Sequence, residues 1–160
     1  MSLFPESSTQ PSGRAVLLSI KPKYANLILA GTKRVELRRA WPSTDIGSMI
    51  LYSSAPVQRL VGIAYISRIE ERDLQGLWVL ADGNGGGVTY DELMDYVQGK
   101  KTAFGVMIER VEIAQQQVDP KDFFPEFTPP QSFLYLTPNE FHGVMHAMFP
   151  SSPHALENKI

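Results

Sequence analysis

Apolar segments of strand length recur along this chain at uneven intervals, and that spacing admits few folds. Ala15 to Ile20 has strand length and composition, and Lys21-Pro22 cuts it off. Pro22 suits the first turn of a helix that carries Tyr24, Leu27 and Ile28 on one face and stops at Gly31, whose freedom at positive φ suits a C-terminal cap. Lys33 to Arg39 predicts a second strand, Met49 to Ser53 a third, Leu60 to Ile69 a fourth, Ala103 to Ala114 a fifth, and Ser132 to Tyr135 a short sixth. In the fourth, Gly62 and Ala64 share a face with Leu60 and Ile66, small residues that suit a sharply bending barrel strand. Helices predicted over Asp73 to Leu80 and Tyr90 to Gln98 separate the fourth and fifth strands, the second of them opened by the capping box Thr89-Tyr-Asp-Glu92. Another capping box, Thr137-Pro-Asn-Glu140, opens a last helix ending near Phe149. A parallel α/β fold alternates strand and helix more regularly, so the expected fold is α+β: a small mixed β-barrel of five to six strands with flanking helices.

A chain of 160 residues fits one domain with a substantial core. Residues 1–13, polar and rich in proline and serine, read as a disordered N-terminal arm; 14–136 as the barrel; and 137–160 as a C-terminal helix and tail packed on it or extending it. Cysteine is absent, which excludes a disulfide framework, a thiolate zinc site and a cysteine nucleophile. No apolar run approaches a membrane span and no signal peptide opens the chain, so a soluble, cytoplasmic protein is expected, with its oligomeric state open.

The formal net charge is −2, but the charges are unevenly placed. Between Arg14 and Arg39 stand seven bases and one acid, Glu36, an excess of six positive charges on an otherwise acidic chain. Such a segment forms either a local surface for a phosphate backbone or a plain solvated face. Strand alternation puts Val35 and Leu37 on one face and Arg34, Glu36 and Arg38 on the other. Lys33, Glu36 and Arg38 then line a cleft or make a surface ion-pair ladder. Lys21, Arg34, Arg39, Ser53 and Ser54 stand near enough in the predicted strands to join a cleft.

Trp41, Tyr52 and Tyr65 offer stacking surfaces, although burial is the commoner fate of an aromatic. His142 and His146 have metal-ligand spacing, but two ligands are too few, and no metal or cofactor is expected. The glycines from Gly83 to Gly87 lack the ending of a phosphate loop and read as a flexible connector or a mobile lid. Pro129-Pro130-Gln131-Ser132 reads as a rigid turn or a pocket border.

From Leu18 to Arg39 the chain resembles the ASCH family of the PUA-like superfamily: a glycine at a helix end, a lysine two residues on, then a glutamate and an arginine, here Gly31, Lys33, Glu36 and Arg38. The likeness continues through Leu51 to Pro56, Val61-Gly-Ile-Ala and Pro129 to Tyr135, and is greatest to ASCH-type proteins predicted to be transcriptional regulators. It implies RNA or modified-nucleotide recognition, with some relatives acting as ribonucleases and others as amidohydrolases on acylated cytidine. The amidohydrolases use a lysine, a threonine and a glutamate. Lys33 matches the first, but the threonine position falls on Glu36 and the glutamate falls in the Gly83 to Gly87 loop, where there is no carboxylate. Three readings follow: a binding module for RNA or a modified nucleotide with a regulatory role, a ribonuclease or nucleotide hydrolase using Lys33 and Glu36, and a protein-interaction adaptor. Scattered charges would favour the third.

Overall fold

A computed structural model describes residues 13–41 and 45–151; the expected arm at 1–13, apart from Gly13, and the tail at 152–160 lie outside the described residues. Strands β1 (Arg14–Ile20), β2 (Val35–Arg38), β3 (Ile46–Ser53), β4 (Arg59–Asp73), β5 (Thr102–Val118) and β6 (Phe133–Tyr135) form one sheet in the order β2-β5-β4-β3-β1-β6. Among the described residues four α-helices flank it: α1 (Pro22–Leu29), α2 (Leu74–Gly83), α3 (Tyr90–Tyr96) and α4 (Pro138–Met148). Neighbouring strands are antiparallel except β1 and β3, whose parallel pairing is made possible by the crossover through α1 and β2. The mixed α+β sheet is as expected. The closed barrel is not, because β2 and β6 remain edges and the ladder does not join end to end.

β4 and β5 run to 15 and 17 residues, well beyond their apolar runs, because polar ends such as Arg68 to Asp73 continue the ladder in solvent. Register shifts at Leu60/Gly62, Tyr65/Ile66 and Ile66/Arg68 bend this long pair. At Gly62 a Cβ would come within 2.5 Å of the Glu112 carbonyl oxygen and 2.8 Å of Leu29 Cδ2, so the missing side chain lets α1 lie on the sheet.

The core has three parts. Leu17, Ile50 and Ile63 meet Phe141, Val144 and Met148 of α4 on one face; their strand neighbours Val16, Leu18, Met49 and Leu51 meet Ala25 and Ile28 of α1 on the other. In the third part Val35 and Leu37 of β2 pack with Leu77 of α2 and Leu93 and Val97 at α3. This last cluster holds α3 beside β2 and thereby sets the walls of the site.

Candidate functional site

Gly31, with φ +81°, ends α1. Its N–H donates to the Ile28 carbonyl at 3.0 Å, and the N–H groups of Thr32 and Lys33 donate to Leu27 at 3.1 and 3.0 Å, a left-handed cap that reverses the chain. The reversal carries Lys33 inward, where it is 2% exposed. Its Nζ donates to the Gly86 carbonyl at 2.5 Å and lies 3.8 Å from Glu36 Oε1. Glu36 Oε2 is 3.0 Å from Arg38 Nη2, which also donates to the Ser19 carbonyl of β1 at 3.4 Å. β1 and β2 are not neighbours in the sheet, and Arg38 links them through the Ser19 carbonyl. A cleft of about 560 Å³ occupies that gap, between the end of β1, the polar face of β2 and α3.

Burial holds the Lys33 amine below its ordinary pKa; Glu36 opposes that shift and Arg38 adds to it. A buried amine with a loosened proton beside a carboxylate can hold a polar ligand or exchange a proton. Arg38 Nε is buried without a hydrogen-bond partner, which leaves the guanidinium a donor in reserve. Tyr24 and Tyr96 also line the cleft, and Lys33 Nζ stands 5.4 Å from the Tyr24 ring centre.

The sequence model of the ASCH domain matches residues 18–114, more than half of the chain. This chain belongs to the ASCH domain family. An ASCH domain-containing ribonuclease of Zymomonas mobilis subsp. mobilis is 31% identical to it over 134 residues, 81% of this chain and 89% of the relative. The crystal structure of ASCH from Zymomonas mobilis superposes with a TM-score of 0.75 at 25% identity, covering 82% of this chain and 94% of the other. The N-terminal domain of Staphylothermus marinus McrB, at 9% identity and a TM-score of 0.52, covers 88% of this chain and 96% of its own and shares the fold alone.

In this ASCH domain Lys21, Lys33, Glu36 and Arg38 come together at the cleft, and the other expected residues do not. β2 begins at Val35, so Arg34 lies outside the strand, exposed, with its N–H on the Asn84 carbonyl at 2.8 Å. Arg39 follows the end of β2 at a bend and lines a different groove. Ser53 is buried in a recess with Asn26, Ala30 and Gln117, and Ser54 engages Ile20 through its backbone. Nor do the seven bases form one surface: Arg14 stacks on Tyr135 at 3.6 Å, and Lys23 borders a separate recess at the glycine loop.

The sequence reading missed Tyr24, Glu92, Asp95 and Tyr96 as cleft residues. The capping box gave Glu92 its local role, since its carboxylate accepts from the Thr89 N–H at 2.8 Å, but no spacing in the chain signals that α3 packs beside β2. Tyr52 and Tyr65 are packed rather than stacked for a ligand: Tyr52 against Phe127 at 5.0 Å, Tyr65 under Arg110 with its hydroxyl donating to Glu112 at 3.0 Å. The glycine loop is not a free connector. Gly85, at φ +63°, lies so close to Thr32 that a Cβ would sit 2.0 Å from its carbonyl oxygen, and Gly86 receives Lys33. Ser132 borders the Arg39 groove, not the cleft, and among the described residues no three His, Asp or Glu side chains gather to hold a metal. No helix among the described residues is long and apolar enough to cross a membrane.

Proposed function

We propose that this ASCH domain binds single-stranded RNA or a modified nucleotide, with one base held in the cleft. The observation that carries the reading is the Glu36 carboxylate, fixed between Lys33 and Arg38 in a cleft of nucleoside size that Tyr24 and Tyr96 also line. Glu36 accepts from a base amino group, Lys33 and Arg38 donate to ring carbonyls or phosphate, and the tyrosines stack. Lys21, Lys33 and Arg38 are balanced by Glu36, Glu92 and Asp95, a mixed lining that suits a base edge and its ribose better than a run of phosphates. The ribonuclease relative supports RNA as the ligand class. We place the domain in the cytoplasm and assign occupancy of RNA a regulatory outcome. Fluorescence anisotropy with a labelled RNA of about ten nucleotides tests this. Arg38→Ala should weaken binding at least tenfold, Arg38→Lys less, and the alanine variant should lower the slope of log affinity against log salt by about 0.7. Absence of binding at low salt in the wild type, or equal affinity in Arg38→Ala, would refute the site.

A second reading, cleavage of the bound RNA, is favoured by the depressed pKa of Lys33 next to a carboxylate and by the ribonuclease relative. In it neutral Lys33 takes the proton from a ribose 2′-hydroxyl, whose oxygen bonds to the adjacent phosphorus. The bond to the 5′-oxygen breaks and that oxygen receives the proton back, leaving a cyclic phosphate and a 5′-hydroxyl. Glu36 holds the amine in place. Single-turnover assays decide: a hundredfold loss in Lys33→Ala and Glu36→Gln with binding retained establishes cleavage, and no turnover in the wild type leaves the binding module. Deacylation of cytidine lacks its threonine, since Glu36 stands there.

A further inference from the structure

We propose that the groove beside Trp41 is a phosphate subsite that takes the RNA backbone leaving the cleft; it rests on the RNA-binding reading above. The groove encloses about 470 Å³, and Arg39, Lys100 and Lys101 surround Trp41, Phe104 and Phe133 in it. Trp41 is 7% exposed and leans on Phe133 at 5.8 Å, yet its indole N–H has no hydrogen-bond partner. Buried polar atoms without a partner are rare, and an indole N–H can only donate, so the missing partner is an acceptor.

The surrounding charges ask for the same thing. The Arg39 guanidinium reaches only the Gln98 carbonyl, at 3.4 Å, and among the described residues no carboxylate pairs with Arg39, Lys100 or Lys101. Glu71, the acid of the groove, accepts from Thr102 Oγ1 at 2.6 Å. The groove therefore offers an indole N–H without a partner and three cations without a carboxylate, a set that matches an anionic group rich in acceptors.

Placement selects the phosphodiester among such anions. Arg38 and Arg39 are consecutive, one in the cleft and one in the groove. The segment leaving α3 likewise runs from Tyr96 in the cleft to Lys100 and Lys101 in the groove. A nucleotide seated in the cleft has its chain continue past this corner, where aromatic edges and cations track a single strand.

The test uses the whole chain carrying Trp78→Phe, which leaves Trp41 the remaining tryptophan of the two. Titration with a single-stranded RNA of about ten nucleotides should shift Trp41 emission. In parallel, Lys100→Ala/Lys101→Ala should weaken that RNA about tenfold and lower the salt slope by about 1.4. If the RNA binds and Arg38→Ala weakens it, while the double lysine variant and Trp41 emission do not respond, the subsite falls and the cleft reading stands. If the wild type does not bind RNA, both fall. If a polyglutamate peptide of matched charge displaces the RNA as well as unlabelled RNA does, the groove is an acidic-peptide surface and the phosphate assignment is overturned.

Discussion

Replacing Glu36 by glutamine keeps the shape of the side chain and removes the charge that the buried Lys33 and the largely buried Arg38 share. One carboxylate oxygen faces Lys33 at 3.8 Å and the other faces Arg38 at 3.0 Å. A glutamine can offer its oxygen to one cation only; its amide N–H₂ then opposes the other. The side chains are 3%, 9% and 12% exposed for Lys33, Glu36 and Arg38, so water does little to screen the loss. Breaking a buried pair by removing one partner costs about 3–5 kcal/mol, and the acceptor that remains puts this case at ~3 kcal/mol. For a domain of this size that lowers the melting temperature by about 10 °C.

The loss should depend on pH. Lys33 titrates below its usual 10.5 in the folded chain, so between those two values the unfolded chain binds a proton that the folded chain does not, and stability rises with pH there. Glutamine removes the group that opposes the depression, which extends the window downward, and the variant should regain stability as pH rises towards 10. Thermal melts across that range, with Lys33→Met/Glu36→Gln as the control that has no amine to discharge, check both parts. The double variant should be more stable than Glu36→Gln alone at neutral pH. A loss below about 1 kcal/mol that does not change with pH would show that the trio is solvated and the reasoning wrong.

Other outcomes follow from the surrounding structure. Gly85→Ala places a Cβ on the Thr32 carbonyl at positive φ and should cost more than about 2 kcal/mol in chemical denaturation, with weaker RNA binding because Gly86 no longer receives Lys33. Thr89→Ala removes the cap of α3 and should cost about 1 kcal/mol by the same measurement, while Thr137→Ala, which uncaps α4 away from the cleft, should cost as much and leave RNA affinity unchanged. Tyr65 is pushed up to about 12, first by burial and then by Glu112. Its stabilising effect is whole below pH 10 and lost as pH rises towards 12, so Tyr65→Phe should flatten the alkaline fall in stability followed by circular dichroism.

The elements were legible because their signals are local. Pro22 and Gly31 bound α1, the two Thr/Glu capping boxes open α3 and α4, and alternation in β2 separates Val35 and Leu37 from Glu36 and Arg38. What was not legible depends on contacts far apart in sequence. Nothing near Arg38 indicates that it would meet the Ser19 carbonyl across an open seam, and a strand count alone reads as a closed barrel. The polar ends of β4 and β5 carry no apolar pattern, so their length went unseen. The charge count between Arg14 and Arg39 suggested one basic surface, but the chain reverses twice within that stretch and distributes the bases. The glycines suggest freedom, but Gly85 permits close docking on Thr32 and Gly86 on Ala81, which sets the Gly86 carbonyl against Lys33.

Whether RNA is held at the cleft between β1, β2 and α3 can be read by photo-crosslinking a short single-stranded RNA carrying 4-thiouridine and mapping the attached peptides by mass spectrometry. Crosslinks should fall on Tyr24 or Tyr96, be lost when unlabelled RNA competes and be reduced in Arg38→Ala. Crosslinks confined to the Ser53 recess or to the α4 face, unaffected by Arg38→Ala, would contradict it.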